Sequence, residues 1–412
     1  MAHGSSKGFR AYVNKVFEIE RALAGLSDGR REPTVPMAAI VTTWLWAFMR
    51  RLPSTEQVGQ MLTDRRWRRR LGLRDADGGS ADTAARALDE LVVEEINALC
   101  LAVFFIARRA GLLDGGPFGQ RCVLVDLNEL FTSESVHCDH CQVREKRVVR
   151  NGREEVVNEY YHQAVALVWV GGDMAWPIGW ELLAPGEGEL PAALRLLDRL
   201  LPALRQSVDL VMGDGLYCCR PFFERVVRFS INGLAISSGQ TEMDEEIELL
   251  KRSGPGRVTT AKVEVWEYES EAWAKDVGTK LRVVHYERCY AAKAYRHERS
   301  QLRIVTTAPA EMVPAGQGWQ LGRSRWKIEN GTFNIFTRDY SLTHNYHHST
   351  TAIAALLVFR SLAYVLTWAY RRYATARSKA APSSLLRWFN DVMVEDWVRY
   401  LDAADVVPSP SG

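Results

Sequence analysis

The chain has 412 residues, of which 47% are hydrophobic and 25% charged, with 52 Lys and Arg against 50 Asp and Glu. This excludes a mainly disordered or fibrous chain and provides apolar material for a large core in two or three domains. A formal net charge of +2 excludes a uniformly basic protein, so any nucleic-acid surface has to come from local clusters of Arg and Lys.

Seven Cys at irregular positions, several inside apolar runs, are not a secreted disulfide framework and point to a reducing compartment. The start, "MAHGSSKGFR", lacks the apolar core of a signal segment. Residues 1 to about 110 read as helices, in "VPMAAIVTTWLWAFMRRL", "STEQVGQMLTDRRWRRRLGL" and "SADTAARALDELVVEEINALCLAVFFIARRAG". Ser54 with Gln57, and Ser80 with Thr83, stand where helix N-termini would begin. Arg65, Arg66, Arg68, Arg69, Arg70 and Arg74, with Trp67 among them, are dense enough to meet a phosphate backbone. The plainer reading is a solvated helix face.

From residue 120 the runs shorten and take strand character. "CVLVDLNELF" reads as a buried strand, "HQAVALVWV" and "MAWPIGWELL" as a hairpin about "GGD", and "LPAALRLLDRLLPAL" as a helix. "VDLVMGDG" is a further buried strand, "RPFFERVVRF" a helix with Pro in its first turn, and "NGLAISS" a fifth strand. The order is β, β, β, α, β, α, β. "AKVEVWEYES", "KLRVVHYERCY" and "QLRIVTT" suggest a β-rich insertion before helix resumes near residue 321. The apolar stretch 351–370 is interrupted by Arg360, a costly residue at a bilayer centre, so a buried helix is expected there and no membrane span. An amphipathic helix and a frayed Pro-Ser end close the chain. The division expected is a helical DNA-binding domain over 1–115, a catalytic core over 116–240 and 308–375, the insertion over 241–307, and a C-terminal helix and tail over 376–412.

Two buried strands are expected to end on a carboxylate, "VLVD" at Asp126 and "LVMGD" at Asp214. Strand C-termini in α/β sheets are where ligands gather, although a lone Asp there commonly serves a turn. A third acid lies in "RWKIENGTFNIF", where helical spacing puts Glu329 between Trp326, Phe333 and Phe336, one turn after Arg325. An ion pair with Arg325 at the rim of the core is the plain explanation. Three carboxylates brought together repel one another and raise their own pKa values. A divalent cation resolves this, Mg²⁺ favouring hard oxygen ligands, and two such ions suit phosphodiester chemistry.

With this order of elements, Asp126, Asp214 and Glu329 resemble the acidic triad of DDE transposases from bacterial insertion sequences. Their core is a ribonuclease H-like mixed sheet with flanking helices. The sequence is most similar to the group whose last motif reads Tyr, two residues, Arg, three residues, Glu, six residues, Lys. Arg325 and Glu329 match, while Gly322 and Phe336 stand at the Tyr and Lys positions. The resemblance implies cleavage of insertion-sequence ends in DNA and joining of the 3′ hydroxyl to target DNA. It also implies two Mg²⁺ or Mn²⁺ ions on Asp126, Asp214 and Glu329, Arg325 on Glu329 or on phosphate, and terminal inverted repeats gripped by the helical unit. A homodimer on double-stranded DNA, in a bacterial cytoplasm at the nucleoid, follows from the same likeness. The competing expectations are a domesticated DNA-binding protein that cuts nothing and a ribonuclease H-like nuclease that joins no strands.

"HCDHC" sets Cys138 and Cys141 at a zinc-ligand spacing, but the sequence offers no clean second pair. His162, Cys218 and Cys219 would serve only if the fold brought them near, so an exposed loop is expected and zinc is the weaker reading. "THNYHHS" is expected to be a polar loop and helix start, and "APGEGE" a loop before a helix without the Lys of a phosphate-binding loop.

Overall fold

The computed structural model describes residues 6–376, apart from 75–78, 114, 117–118, 172–173, 238–240, 259–262, 271–279 and 290–298. The helix and frayed end expected for the tail lie outside the described residues. The architecture is mixed α/β. Its strands are β1 (Cys122–Ser133), β2 (Gln142–Arg150), β3 (Arg153–Gly171), β4 (Met174–Leu182), β5 (Leu210–Gly213), β6 (Asn232–Ile236), β7 (Arg257–Val258), β8 (Glu264–Ser270), β9 (Leu281–Cys289) and β10 (Arg299–Thr306).

They form one sheet in the order β2-β3-β1-β5-β6-β10-β9-β8-β7, with β4 also on β3. The β1/β5 and β5/β6 pairs are parallel. The crossovers are the helices Glu189–Leu204 and Arg220–Arg228, which explains why "CVLV" and "LVMG" are apolar on both faces. Helix Glu189–Leu204 buries Ala192, Ala193, Leu196, Leu197, Leu200, Leu201 and Leu204, a stripe at helical spacing.

Three features differ from the sequence expectation. The strands of the insertion join the main sheet through the β10/β6 pair, and a helix, Thr241–Ser253, precedes them. A ribbon absent from the expected order, β2 with the first half of β3, turns at Asn151-Gly152, both at positive φ. Most side chains on that ribbon are exposed, so it carries no apolar alternation to betray it. Third, β1 does not stop at Asp126 but runs on to Ser133 against β3.

In the N-terminal region, Ser54 accepts a hydrogen bond from the Gln57 N–H and Ser80 from the Thr83 N–H, starting helices Thr55–Thr63 and Ala81–Arg86. The helix Thr350–Ala376 is long and apolar enough to cross a membrane, yet 94% of its most apolar window is buried inside the protein. Arg360 is buried within it and donates to the carbonyls of Tyr340, Ser341 and His344. Its guanidinium also lies over the rings of Phe48 and Tyr346, so the charge that argued against a membrane is held by carbonyls and aromatic faces.

Candidate active site

Register decides where the first two carboxylates meet. Leu124 of β1 stands opposite Met212 of β5, so register carries Asp126 and Asp214 toward the same end of the two strands, where the charge of Asp214 reaches the Asp126 carboxyl. Asp126 is therefore a mid-strand residue, while Asp214 follows β5 directly and accepts from the Leu216 N–H. The intervening Gly213 admits the Tyr217 ring, which a Cβ there would meet at 2.5 Å.

Glu329 comes from the returning helix, but not from its apolar stripe. Residues Glu329–Phe333 form a π-helical turn between Trp326–Ile328 and Asn334–Asp339. The wide turn shifts the helical face: Phe333 and Phe336 are buried, whereas the Glu329 side chain is 48% exposed. Arg325 NH1 lies 3.0 Å from Glu329 Oε1 and 3.5 Å from Asp126 Oδ2. Together the two contacts bring those carboxylate oxygens within about 6.5 Å of each other.

A fourth acid completes the cluster. Glu189, the first residue of its helix, accepts a 2.7 Å hydrogen bond from the Tyr217 hydroxyl. Burial pushes the Asp126 carboxyl up to about 7, Arg325 opposing and the negative charges of Glu189 and Asp214 adding to the rise. Burial raises Glu189 as well, its Tyr217 hydrogen bond opposing and Asp214 adding. Burial first, and then Glu189, Asp126 and Asp214, raise the Tyr217 phenol. These shifts have a common cause: acidic groups converge in a partly dry pocket with one guanidinium among them. Glu189 was not singled out in the sequence, because an acid in the first turn of an amphipathic helix is an ordinary partner of the helix dipole.

Beside the acids lies a cleft of about 340 Å³, lined among others by Asp214, Trp319, Arg323, Arg325 and Trp326. Trp326 is exposed, with the Arg323 guanidinium over its ring at 4.9 Å. The two departures from the family motif have structural causes. A Cβ on Gly322 would meet the Leu302 side chain at 2.7 Å and the Ile304 side chain at 3.2 Å, so a Tyr there would have to displace both where the helix Ala315–Arg323 packs on β10. Phe336 is fully buried against Trp180, Tyr340 and Tyr364, a setting closed to a lysine.

The arginine cluster divides. Arg65 and Arg69 are exposed, Arg66 and Arg70 half-buried, all on the short helix Arg65–Arg70 that Asp64 caps. Arg68 is buried with Trp67 and donates to the Arg74 carbonyl, so the expectation that Arg68 meets DNA is corrected: it binds its own backbone. The "HCDHC" stretch is a loop with His137, Asp139 and His140 exposed, as expected, but its last residue turns inward. Cys141 is buried, and His162 and His348 lie beside it, whereas Cys218 and Cys219 precede the helix Arg220–Arg228.

Residues 179–366 match a family described as "Transposase DDE domain". The match takes in Glu189, Asp214, Arg325 and Glu329 and begins after Asp126. No curated protein matches the chain.

Proposed function

For a chain whose residues 179–366 match the transposase DDE domain, we propose that it is a DDE transposase that cleaves DNA at the ends of a bacterial insertion sequence and joins the freed 3′ hydroxyl to target DNA. The observation that carries this reading is the convergence of Asp126, Asp214 and Glu329 around Arg325, beside a cleft that Arg323 and Arg325 also line.

The family uses divalent metal ions, and the donors here are carboxylate oxygens, the ligands Mg²⁺ and Mn²⁺ favour. Asp126, Asp214 and Glu329 would hold two such ions, with Glu189 close enough to share in the binding. Bound ions supply charge stabilisation for the attacking and leaving oxygens of a phosphodiester. The protein's own groups set the rest. Arg325 neutralises part of the acid cluster and can turn to a phosphate oxygen. Tyr217 keeps Glu189 oriented, and Trp326 with Arg323 offers a stacking face and a cation at the mouth of the cleft. Arg65, Arg66, Arg69 and Arg70 on the N-terminal helices would grip the phosphates of terminal inverted repeats, and two ends to be cut favour a homodimer on DNA.

The test is nicking of DNA that carries the sequences flanking the gene. Asp126→Asn, Asp214→Asn and Glu329→Gln are each expected to abolish Mg²⁺-dependent nicking while end binding persists. Full cleavage by any one of them removes that residue from the site, and loss of end binding in all three would mean the acids serve folding. A strand-transfer assay with the wild type distinguishes a transposase, which yields joined products, from a nuclease, which yields only cuts.

A further inference from the structure

Away from the acids, two thiols and two imidazoles from distant parts of the chain point at one spot. Cys138 and Cys141 come from the β1–β2 loop, His162 from β3, and His348 from the segment before the long helix. All four ligand atoms lie within 4.8 Å of one another. We propose that Cys138, Cys141, His162 and His348 form a structural zinc site.

The distances are those of a tetrahedron. Arms of about 2.3 Å to sulfur and 2.0 Å to nitrogen give edges of roughly 3.8 Å between sulfurs, 3.5 Å between sulfur and nitrogen and 3.3 Å between nitrogens. The two sulfurs are 3.9 Å apart. His162 Nε2 is 3.5 Å from Cys138 Sγ and 3.4 Å from Cys141 Sγ, and His348 Nε2 is 3.1 Å from Cys141 Sγ. The two Nε2 atoms are 3.2 Å apart. Hydrogen bonds alone serve this arrangement poorly: His162 Nε2 faces two sulfurs and a second ring nitrogen, and one proton cannot satisfy three neighbours. A cation at the centre satisfies all four at once.

The surroundings fit a closed site. Phe131 packs on both imidazoles, at 5.5 and 5.2 Å. Behind His348, Asn345 places its amide nitrogen 3.2 Å from Nδ1 while its buried Oδ1 has no partner. Turning that amide over, so that its two ends exchange places, lets His348 Nδ1–H donate to Oδ1. That is how an outer partner fixes the tautomer of a metal-bound histidine. Four protein ligands and no open position mark structural zinc. Its place is mechanical, since it would fasten the base of the β2–β3 ribbon to the segment whose His347 and Ser349 bond Asp89 in the N-terminal helices.

The full-length protein, purified under reducing conditions without chelator, is expected to contain one zinc per chain by elemental analysis. Replacing it with Co²⁺ should give the visible absorption of a tetrahedral thiolate site. Cys141→Ser and His348→Ala should lose the metal and lower the unfolding temperature, while His348→Cys, which keeps a ligand in place, should retain it. A wild-type protein that takes up no zinc when zinc is added to its reduced form overturns the proposal, as does full zinc content in Cys141→Ser or His348→Ala. None of these measurements involves DNA cleavage, so their failure leaves the transposase reading standing, and the reverse also holds.

Discussion

Arg360→Met sets two opposing energies against each other, and their sizes decide the outcome. Burial lowers the Arg360 pKa from its ordinary value to about 10, which corresponds to roughly 3 to 4 kcal/mol of desolvation at about 1.4 kcal/mol per unit. Methionine relieves that cost. It also strips donors from the carbonyls of Tyr340, Ser341 and His344, each worth about 1 to 3 kcal/mol when orphaned. The contacts with the Phe48 and Tyr346 rings add about 1 kcal/mol each. Part of this segment reaches solvent, so the low end applies to the carbonyls, and the net loss is about 2 kcal/mol. Urea unfolding of wild type and variant at an unchanged slope measures it. A variant as stable as the wild type, or more so, would show that desolvation dominates and that Arg360 is not what holds the 340–344 turn.

Restoring the family tyrosine by Gly322→Tyr is expected to destabilise by about 1 to 3 kcal/mol through overpacking against Leu302 and Ile304; an unchanged urea midpoint would mean the helix shifts freely off β10. Burial raises the Asp209 carboxyl, but the Arg121 side-chain and backbone hydrogen bonds outweigh it and leave Asp209 below its ordinary value. Its contribution is therefore present above about pH 4, the unfolded value, and fades as pH falls through the lower folded one. Asp209→Asn should thus be less stable than wild type at pH 7, with a smaller gap at pH 3, and a gap of equal size at both would refute the linkage. Arg65→Glu with Arg69→Glu should weaken DNA binding and flatten its salt dependence, whereas Arg68→Ala should lower stability because the buried Arg68 loses its contact with the Arg74 carbonyl. Binding unmoved by the double reversal would make that helix a solvated face.

Much of the core was legible because its signals are local. The runs "CVLV" and "LVMG" are apolar on both faces, so they read as buried strands, and Asp126 and Asp214 stood out as the acids that follow them. Ser54 and Ser80 announced their helices because capping is a three-residue event. What escaped depends on tertiary contact. The π turn has no periodic signature, so Glu329 was read onto an apolar stripe it does not occupy. The β2–β3 ribbon is solvated on both faces, although Asn151-Gly152 was a hairpin signal within reach. Arg68 looks like its neighbours in sequence and differs in being buried and donating to the chain's own carbonyls. His348 lies 207 residues beyond Cys141, a pairing that only the folded sheet makes visible.

The segment from Arg325 to Ser349 explains why Glu329 differs in kind from the other two acids. Asp126 and Asp214 are fixed by strand register, and the sheet that holds them is buried on both faces. Glu329 rides on an element whose far end is fastened elsewhere. The Tyr346 hydroxyl donates to the Leu52 carbonyl at 2.6 Å, the Tyr346 carbonyl accepts from Thr55 at 2.7 Å, and His347 meets Asp89 at 2.8 Å. These partners all belong to the N-terminal region, Leu52 in the turn between two of its helices, and the same region carries the exposed arginines Arg65 and Arg69. Glu329 is thus carried by a segment tied to the N-terminal region at residues 346 and 347, while Asp126 and Asp214 are held by the sheet. The wide turn at Glu329–Phe333 lies between Arg325 and those ties, where helical hydrogen bonding is loosened, so Glu329 is the least firmly fixed of the three carboxylates.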